Sequence, residues 1–241
     1  MWAILRTPRW AIATLVVVTV CAVFASLGQW QLRRHSERQV ENTVNAARLA
    51  SESTDLQVLL DAAGDDLDSL EYRPVEVRGS YRPDDELLVR SQVANERPGF
   101  HVVTPLDTAV GTVLVNRGWV PLAAETPPVS AVPPPDGTVT VSGLIRLSQL
   151  RPSIGPVEPE GELSVIARID LARLAAQFDD LAPVWIQATS PSEETLPIRL
   201  ALPAVDDSGP HLPYAFQWYS FAIITAGGFG LLARRAARTA R

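Results

Sequence analysis

Pro210-His211-Leu-Pro213-Tyr214-Ala-Phe-Gln-Trp218-Tyr-Ser-Phe221, running on into Ala222–Ala233, is the stretch that decides the fold. No charged residue occurs from Pro213 to Ala233. As a helix that run is about 31 Å long, the thickness of a bilayer's hydrocarbon core. Proline suits the first position of a helix, and the residue before it is pushed out of the α region. The sequence therefore predicts a span starting at Pro213, with His211 just outside it at headgroup level. Arg234, Arg235, Arg238 and Arg241 follow.

Tyr214, Trp218 and Phe221 recur at spacings of four and three, on one helical face, where aromatics favour the membrane interface. Beside such a face His211 has two readings. It is an interfacial residue within an aromatic belt, or it ligates a metal or a haem iron.

The other end of the chain carries a second candidate span. Residues 11–28 are free of charge and Trp10 and Trp30 flank them. Val23-Phe24-Ala25 before Ser26 also fits a signal-peptide cleavage site. Ala222, Ala226 and Gly230, and Ala22 with Ser26, form stripes of small residues, so two retained spans are expected to touch. Arginines place the C-terminus in the cytoplasm: four follow the last span and none lies in the ten residues before it. The middle then lies outside the cytoplasm.

All 21 basic residues of the 241 are arginine, and all 27 acidic residues lie between Glu37 and Asp207. An acidic centre argues against nucleic-acid binding, whose footprint is a basic patch. The single cysteine, Cys21, excludes an intramolecular disulfide and a cysteine-cluster metal site. Asp65-Asp66-Leu67-Asp68 lacks calcium-loop spacing and reads as a solvated linker.

From Glu71 the pattern changes to period two. Strand-like runs occur at 74–79, 86–90, 101–104, 113–116, 119–120, 138–143, 144–146 and 184–188, separated by Arg82-Pro-Asp-Asp, Arg97-Pro-Gly, Asp107–Gly111 and Pro133–Gly137. Residues 151–161 read as a loop, and residues 170–178, capped by Asp170, as the one clear soluble helix. The fold class expected is a membrane protein whose two transmembrane helices flank an extracytoplasmic, mostly-β domain, a small antiparallel barrel or sandwich of α+β type. Its parts are an N-tail at 1–9, a first span at 10–30, an amphipathic linker at 31–70, the β-rich domain at 71–210, the second span with its histidine at 211–233 and a basic C-tail at 234–241.

Catalytic signals are sparse. The domain's only histidine is His101, no Gly-x-Ser-x-Gly or glycine-rich phosphate loop is present, and His35, His101 and His211 share no metal-ligand spacing. An enzyme is not expected. Asn116-Arg117-Gly118-Trp119 reads as a strand ending in a glycine corner. Its arginine is stacked on an aromatic ring, or aimed at a partner carboxylate or a haem propionate.

Six stretches together resemble the Surf1/Shy1 (Surfeit locus 1) family of cytochrome c oxidase assembly factors. They are Leu27-Gly-Gln-Trp-Gln-Leu-Arg-Arg34, Tyr72–Gly79 with Tyr81-Arg-Pro83, Pro98-Gly-Phe-His-Val-Val-Thr-Pro-Leu106, Val113-Leu-Val-Asn-Arg-Gly-Trp-Val-Pro121, Val141-Ser-Gly-Leu-Ile-Arg146 and His211-Leu-Pro-Tyr-Ala-Phe-Gln-Trp218. The match thins over 40–70 and 147–210. The resemblance implies a retained N-terminal anchor, hence a multi-pass protein of a bacterial cell membrane with both termini cytoplasmic. It also implies a non-enzymatic role in maturing the aa3-type oxidase: receiving haem a from its synthesis machinery, holding it among membrane lipids and aiding its insertion into subunit I. On that resemblance His211 is the candidate iron ligand, with Tyr214 and Trp218 flanking the porphyrin. A haem-free chaperone that stabilises subunit I, with Asn116, Arg117, Gly118 and Trp119 as its sensitive spot, is the alternative.

Overall fold

The computed structural model describes residues 7–150, 158–190, 196–205 and 209–239. Arg6, Arg241, most of the expected 151–161 loop and much of the proline-rich return to the second helix lie outside the described residues. The chain divides into two compact units, Met1–Val44 with Ala204–Arg241, and Asn45–Pro203.

The first unit is built from two helices, α1 (Pro8–Leu49) and the C-terminal helix α4 (His211–Thr239). Both are long and apolar enough to cross a membrane. α1 does not stop at Trp30. Its 42 residues make a helix about 63 Å long, about twice a bilayer core. Beyond the apolar part, Arg34–Glu37 and Arg38–Glu41 pairs, each at 3.1 Å, support the exposed turns. α4 begins at His211 rather than Pro213. N–H groups of a helix's first turn have no intrahelical partner, so a proline in third place removes no bond.

The helices run antiparallel and touch, as their small residues predict; of the expected stripes Ala222 lies on the seam, and the other contacts fall elsewhere. Shielded residues recur at Trp10, Val17, Phe24, Gln31 in α1 and at Ala215, Ala222, Phe229 in α4, with Cys21, Gly28, Trp218, Thr225 and Ala233 between them. That spacing of three and four is the seam of paired helices. Trp10 meets Phe229 at 5.9 Å, and Phe24 meets Trp218 at 5.7 Å and Phe221 at 5.8 Å. Gly28, outside the expected stripe, packs directly against the facing helix. A β-carbon there would lie 2.9 Å from the Tyr219 ring. Ala22, Ser26 and Ala226 face outward, and Gly230 has open space around its Cα.

The second unit begins with β1 (Thr54–Asp55), whose Asp55 caps α2 (Leu56–Ala63) by accepting from Gln57 N at 2.9 Å. The strands that follow are β2 (Pro74–Tyr81), β3 (Leu87–Ala94), β4 (Arg97–Thr108), β5 (Gly111–Pro121), β6 (Thr138–Arg146), β7 (Val165–Ile166) and β8 (Leu181–Ala188). A short α3 (Leu171–Leu174) precedes β8. Asp170 caps it as expected, at 3.2 Å from Arg173 N, but α2 is the longer soluble helix.

Pairings β2–β6–β8–β5–β4 return to β2, closing a five-stranded barrel, with β1 beside β2, and β3 and then β7 beside β4. The barrel is mixed rather than antiparallel, because β5 and β8 run parallel. A parallel pair needs a long crossover, and residues 122–180 supply it. β4 and β5 join through the turn expected at Asp107–Gly111, but Arg97-Pro98-Gly99 belongs to β4. The β3–β4 turn falls instead on Asn95 and Glu96, both at positive φ (49° and 61°), as a two-residue hairpin demands.

β5 is buried on both faces. Val113 and Val115 point into the barrel with Val75, Val77, Leu106, Val141, Ile145, Val184 and Ile186, and Leu56 and Leu59 of α2 close that interior. Leu114 points the other way, against Leu87, Val103, Ile166, Leu174, Phe178 and Trp185. This two-sided burial is why the β5 sequence reads as a nearly continuous apolar run.

Candidate functional site

In the helical unit His211 occupies the first turn of α4, and its Nδ1 lies 2.9 Å from Gln31 Oε1 of α1. A carbonyl oxygen only accepts, so with Gln31 Oε1 as partner Nδ1 donates, and the neutral tautomer compatible with that bond keeps its lone pair on Nε2. Gly209 lies beside that nitrogen. A β-carbon on Gly209, whose φ is +68°, would lie 3.3 Å from Nε2. This residue without a side chain, next to a nitrogen with a free pair, fits an iron ligand. Axial haem ligation takes a neutral imidazole nitrogen.

Tyr214 is 48% exposed, one turn along from His211. Trp218 is turned into a cluster with Phe24 and Phe221, the latter edge-on at 5.9 Å. The structure thus brings His211 and Tyr214 to one end of the helix pair and uses Trp218 to join the helices. His35, one turn beyond Gln31 on α1, has a buried Nδ1 with no hydrogen-bond partner. Among the described residues no group of three His, Cys, Asp or Glu side chains is placed to hold a metal.

In the barrel unit the 116–119 stretch is a β-bulge within β5, not its end. Val102 pairs with Gly118 and Val103 with Asn116, so Arg117 is the extra residue. A bulge re-aims a side chain, and this one turns Arg117 inward. Its Nη1 donates to Glu86 Oε2 at 3.2 Å and to Thr104 Oγ1 at 3.4 Å, its Nη2 donates to the Val132 carbonyl, and its guanidinium lies 5.8 Å from the Tyr81 ring centre. Burial lowers the Arg117 pKa and the Glu86 charge opposes that shift. Burial also raises the Tyr81 pKa, against the pull of Arg117 and Arg199. Arg117 is therefore an internal ion-pair partner stacked near an aromatic ring, and its charge is not directed at a surface carboxylate.

Glu86 also accepts from Thr104 Oγ1 and from Val129 N, each at 2.8 Å. Together Glu86 and Arg117 tie the β5–β6 connection, through Val129 and Val132, to the barrel wall. Asn116 Oδ1 accepts from Gly118 N at 3.1 Å, which leaves its Nδ2 facing His101 Nδ1 at 3.4 Å. Trp119 exchanges backbone hydrogen bonds with Ile198 at 2.7 and 2.9 Å.

Sequence reading missed Gln31, Gly209 and Glu86. Gln31 is marked by lying in the family-like stretch Leu27–Arg34 and by sharing a helical face with Gly28 and His35, Gly209 only by preceding Pro210. Glu86 had one signal, an acid opening the apolar run Leu87-Leu88-Val89.

The SURF1 family matches residues 18–223 of this chain. An uncharacterized SURF1-like protein of Mycobacterium tuberculosis is 30% identical over 246 residues, covering 99% of this chain and 89% of that protein. Surfeit locus protein 1 of Homo sapiens is 30% identical over 243 residues, covering 88% and 74%, and that of Gallus gallus is 29% identical over 242, covering 90% and 72%. The family match runs from within α1, through the whole barrel unit, into α4, and by it the chain belongs to the SURF1 family.

Proposed function

We propose that this chain is a two-span protein of a bacterial plasma membrane that serves cytochrome c oxidase assembly by holding haem a at His211 and passing it to subunit I. Membership of the SURF1 family implies the assembly role, that of a factor rather than an enzyme. The observation that carries the haem reading is the His211 ring itself. Nδ1 is engaged by Gln31 and Nε2 faces the side-chain-free Gly209, at the start of a helix that is uncharged from Pro213 to Ala233. Bound haem would gain one axial nitrogen there, with its apolar tail in lipid beside the exposed Phe216 (77%) and its propionates at headgroup level. One protein ligand suits transfer better than storage. The arginines at the C-terminal end of α4 support cytoplasmic termini, and on that reading residues 45–203 lie outside the cytoplasm and the partners are subunit I, the haem a synthesis machinery and lipid.

A haem-free scaffold for subunit I is the second reading. It draws on Asn116–Trp119, where Arg117 holds the 122–137 connection through the Val132 carbonyl.

The test is the reduced optical spectrum of the detergent-purified full chain produced alongside haem a synthesis, beside its His211→Ala variant. A haem a band lost in the variant supports the carrier. A band that survives moves the ligand elsewhere. Absence of a band from the parent, while oxidase assembly still requires the chain, favours the scaffold.

A further inference from the structure

We propose that Gln31 is a positioning residue for His211: it fixes the imidazole tautomer and, as an amide rather than a carboxylate, leaves Nε2 a donor weak enough for haem to be handed on. The inference rests on the reading of His211 as iron ligand. The Nδ1–Oε1 bond of 2.9 Å joins the two helices at their polar end. Its two ends are held by packing below it. Phe24 lies against Trp218 and Gly28 against Tyr219, so Gln31 is delivered to the first turn of α4 with little freedom. Tyr219 Oη adds a second cross-helix contact, to Gln29 Oε1 at 3.5 Å.

The acceptor on the far nitrogen of a ligating histidine tunes the metal. A carboxylate there draws the Nδ1 proton and makes Nε2 a stronger donor, whereas a neutral carbonyl orients the ring with less of that push. A retention site is best served by the carboxylate. This chain has a glutamine, on the same turn as Arg33 and Arg34, where a glutamate would have been easily accommodated by charge. The amide at this position marks a site built for release.

The experiment loads the full chain in detergent with ferric protoporphyrin haem and follows its transfer to excess apomyoglobin. Gln31→Glu is nearly isosteric and is the deciding variant. It should slow release about ten-fold, while Gln31→Leu, which removes the acceptor, should speed it by a similar factor. A merely structural Gln31 would not give opposite signs. Release from Gln31→Glu that is unchanged or faster overturns the proposal, whatever the fate of the leucine variant. His211→Ala separates the two readings. If it binds and releases haem as the parent does, the ligand assignment itself has failed. If it loses haem while Gln31→Glu behaves as the parent, only the role of Gln31 has.

Discussion

The Arg117 guanidinium and the Glu86 carboxylate meet 3.2 Å apart inside the barrel wall, their side chains 6% and 1% exposed. Neither charge has water to fall back on, so each depends on the other and on Thr104, Val129 and Val132. Glu86→Gln leaves a buried guanidinium without its counter-charge and is expected to cost about 3–5 kcal/mol. Replacing both, as Glu86→Leu with Arg117→Met, removes the desolvation burden together with the pair and should cost far less. Urea unfolding of the full chain, followed by fluorescence of the buried Trp185, checks both. A single variant as stable as the parent would show that the pair does not hold the 122–137 connection.

Gly118 sits at φ +130°, and a β-carbon there would lie 2.5 Å from the Ile198 carbonyl oxygen. Gly118→Ala therefore meets backbone strain and a backbone clash together, and at least about 2 kcal/mol of stability should be lost. The bridge between Trp119 and Ile198 should open with it. Amide hydrogen exchange reads this directly, with the Ile198 and Trp119 N–H groups losing protection before the barrel strands do.

Much of this architecture was legible because its signals are local. A charge-free run of span length, period-two alternation and the turn at Asp107–Gly111 are each contained in a few neighbouring residues. The misreadings share the opposite property. Arg97-Pro98-Gly99 looks like a turn, but the hairpin closes on Asn95 and Glu96 because the β3–β4 register requires it. Arg117 is a different case: its sequence allows an aromatic stack or an outward charge alike until β4 supplies the register that makes it a bulge near the Tyr81 ring. The parallel β5–β8 pair depends on a crossover no single stretch announces. At the helical end, His211 was visible as a residue type, but its partner Gln31 lies 180 positions away, and no spacing rule links them.

His101 is pushed down from its ordinary 6.5 to about 4 by burial. The amide donor of Asn116 aimed at Nδ1 agrees, since a protonated ring would present a second donor to it. With the folded pKa below the unfolded one, the unfolded state takes up the proton first. The stabilising contribution is therefore complete above about pH 6.5 and is lost as pH falls from there towards 4. The expected loss is on the order of 3 kcal/mol. Measured by urea midpoints between pH 7 and 4, His101→Gln should flatten that part of the profile. An unaltered slope would assign the acid sensitivity to other groups.

Gly28 packs against the Tyr219 ring across the seam of the two long helices, and Cys21 Sγ lies 3.5 Å from the Ala222 carbonyl oxygen on the same seam. That neighbour makes the packing measurable, because Cys21 is the chain's only cysteine. In membranes an Ala222→Cys variant should form an intramolecular disulfide with Cys21 under mild oxidation, since both positions lie on the contact face. Adding Gly28→Leu puts a branched side chain where a β-carbon alone would already stand 2.9 Å from the Tyr219 ring. The helices must then part or rotate, and disulfide yield should fall several-fold. The displacement would also carry Gln31 away from His211, so haem retention should drop in the same variant although neither residue is altered. Efficient cross-linking in Gly28→Leu would mean that small residues elsewhere, such as Ala215 and Ala233, are enough to hold the helices together.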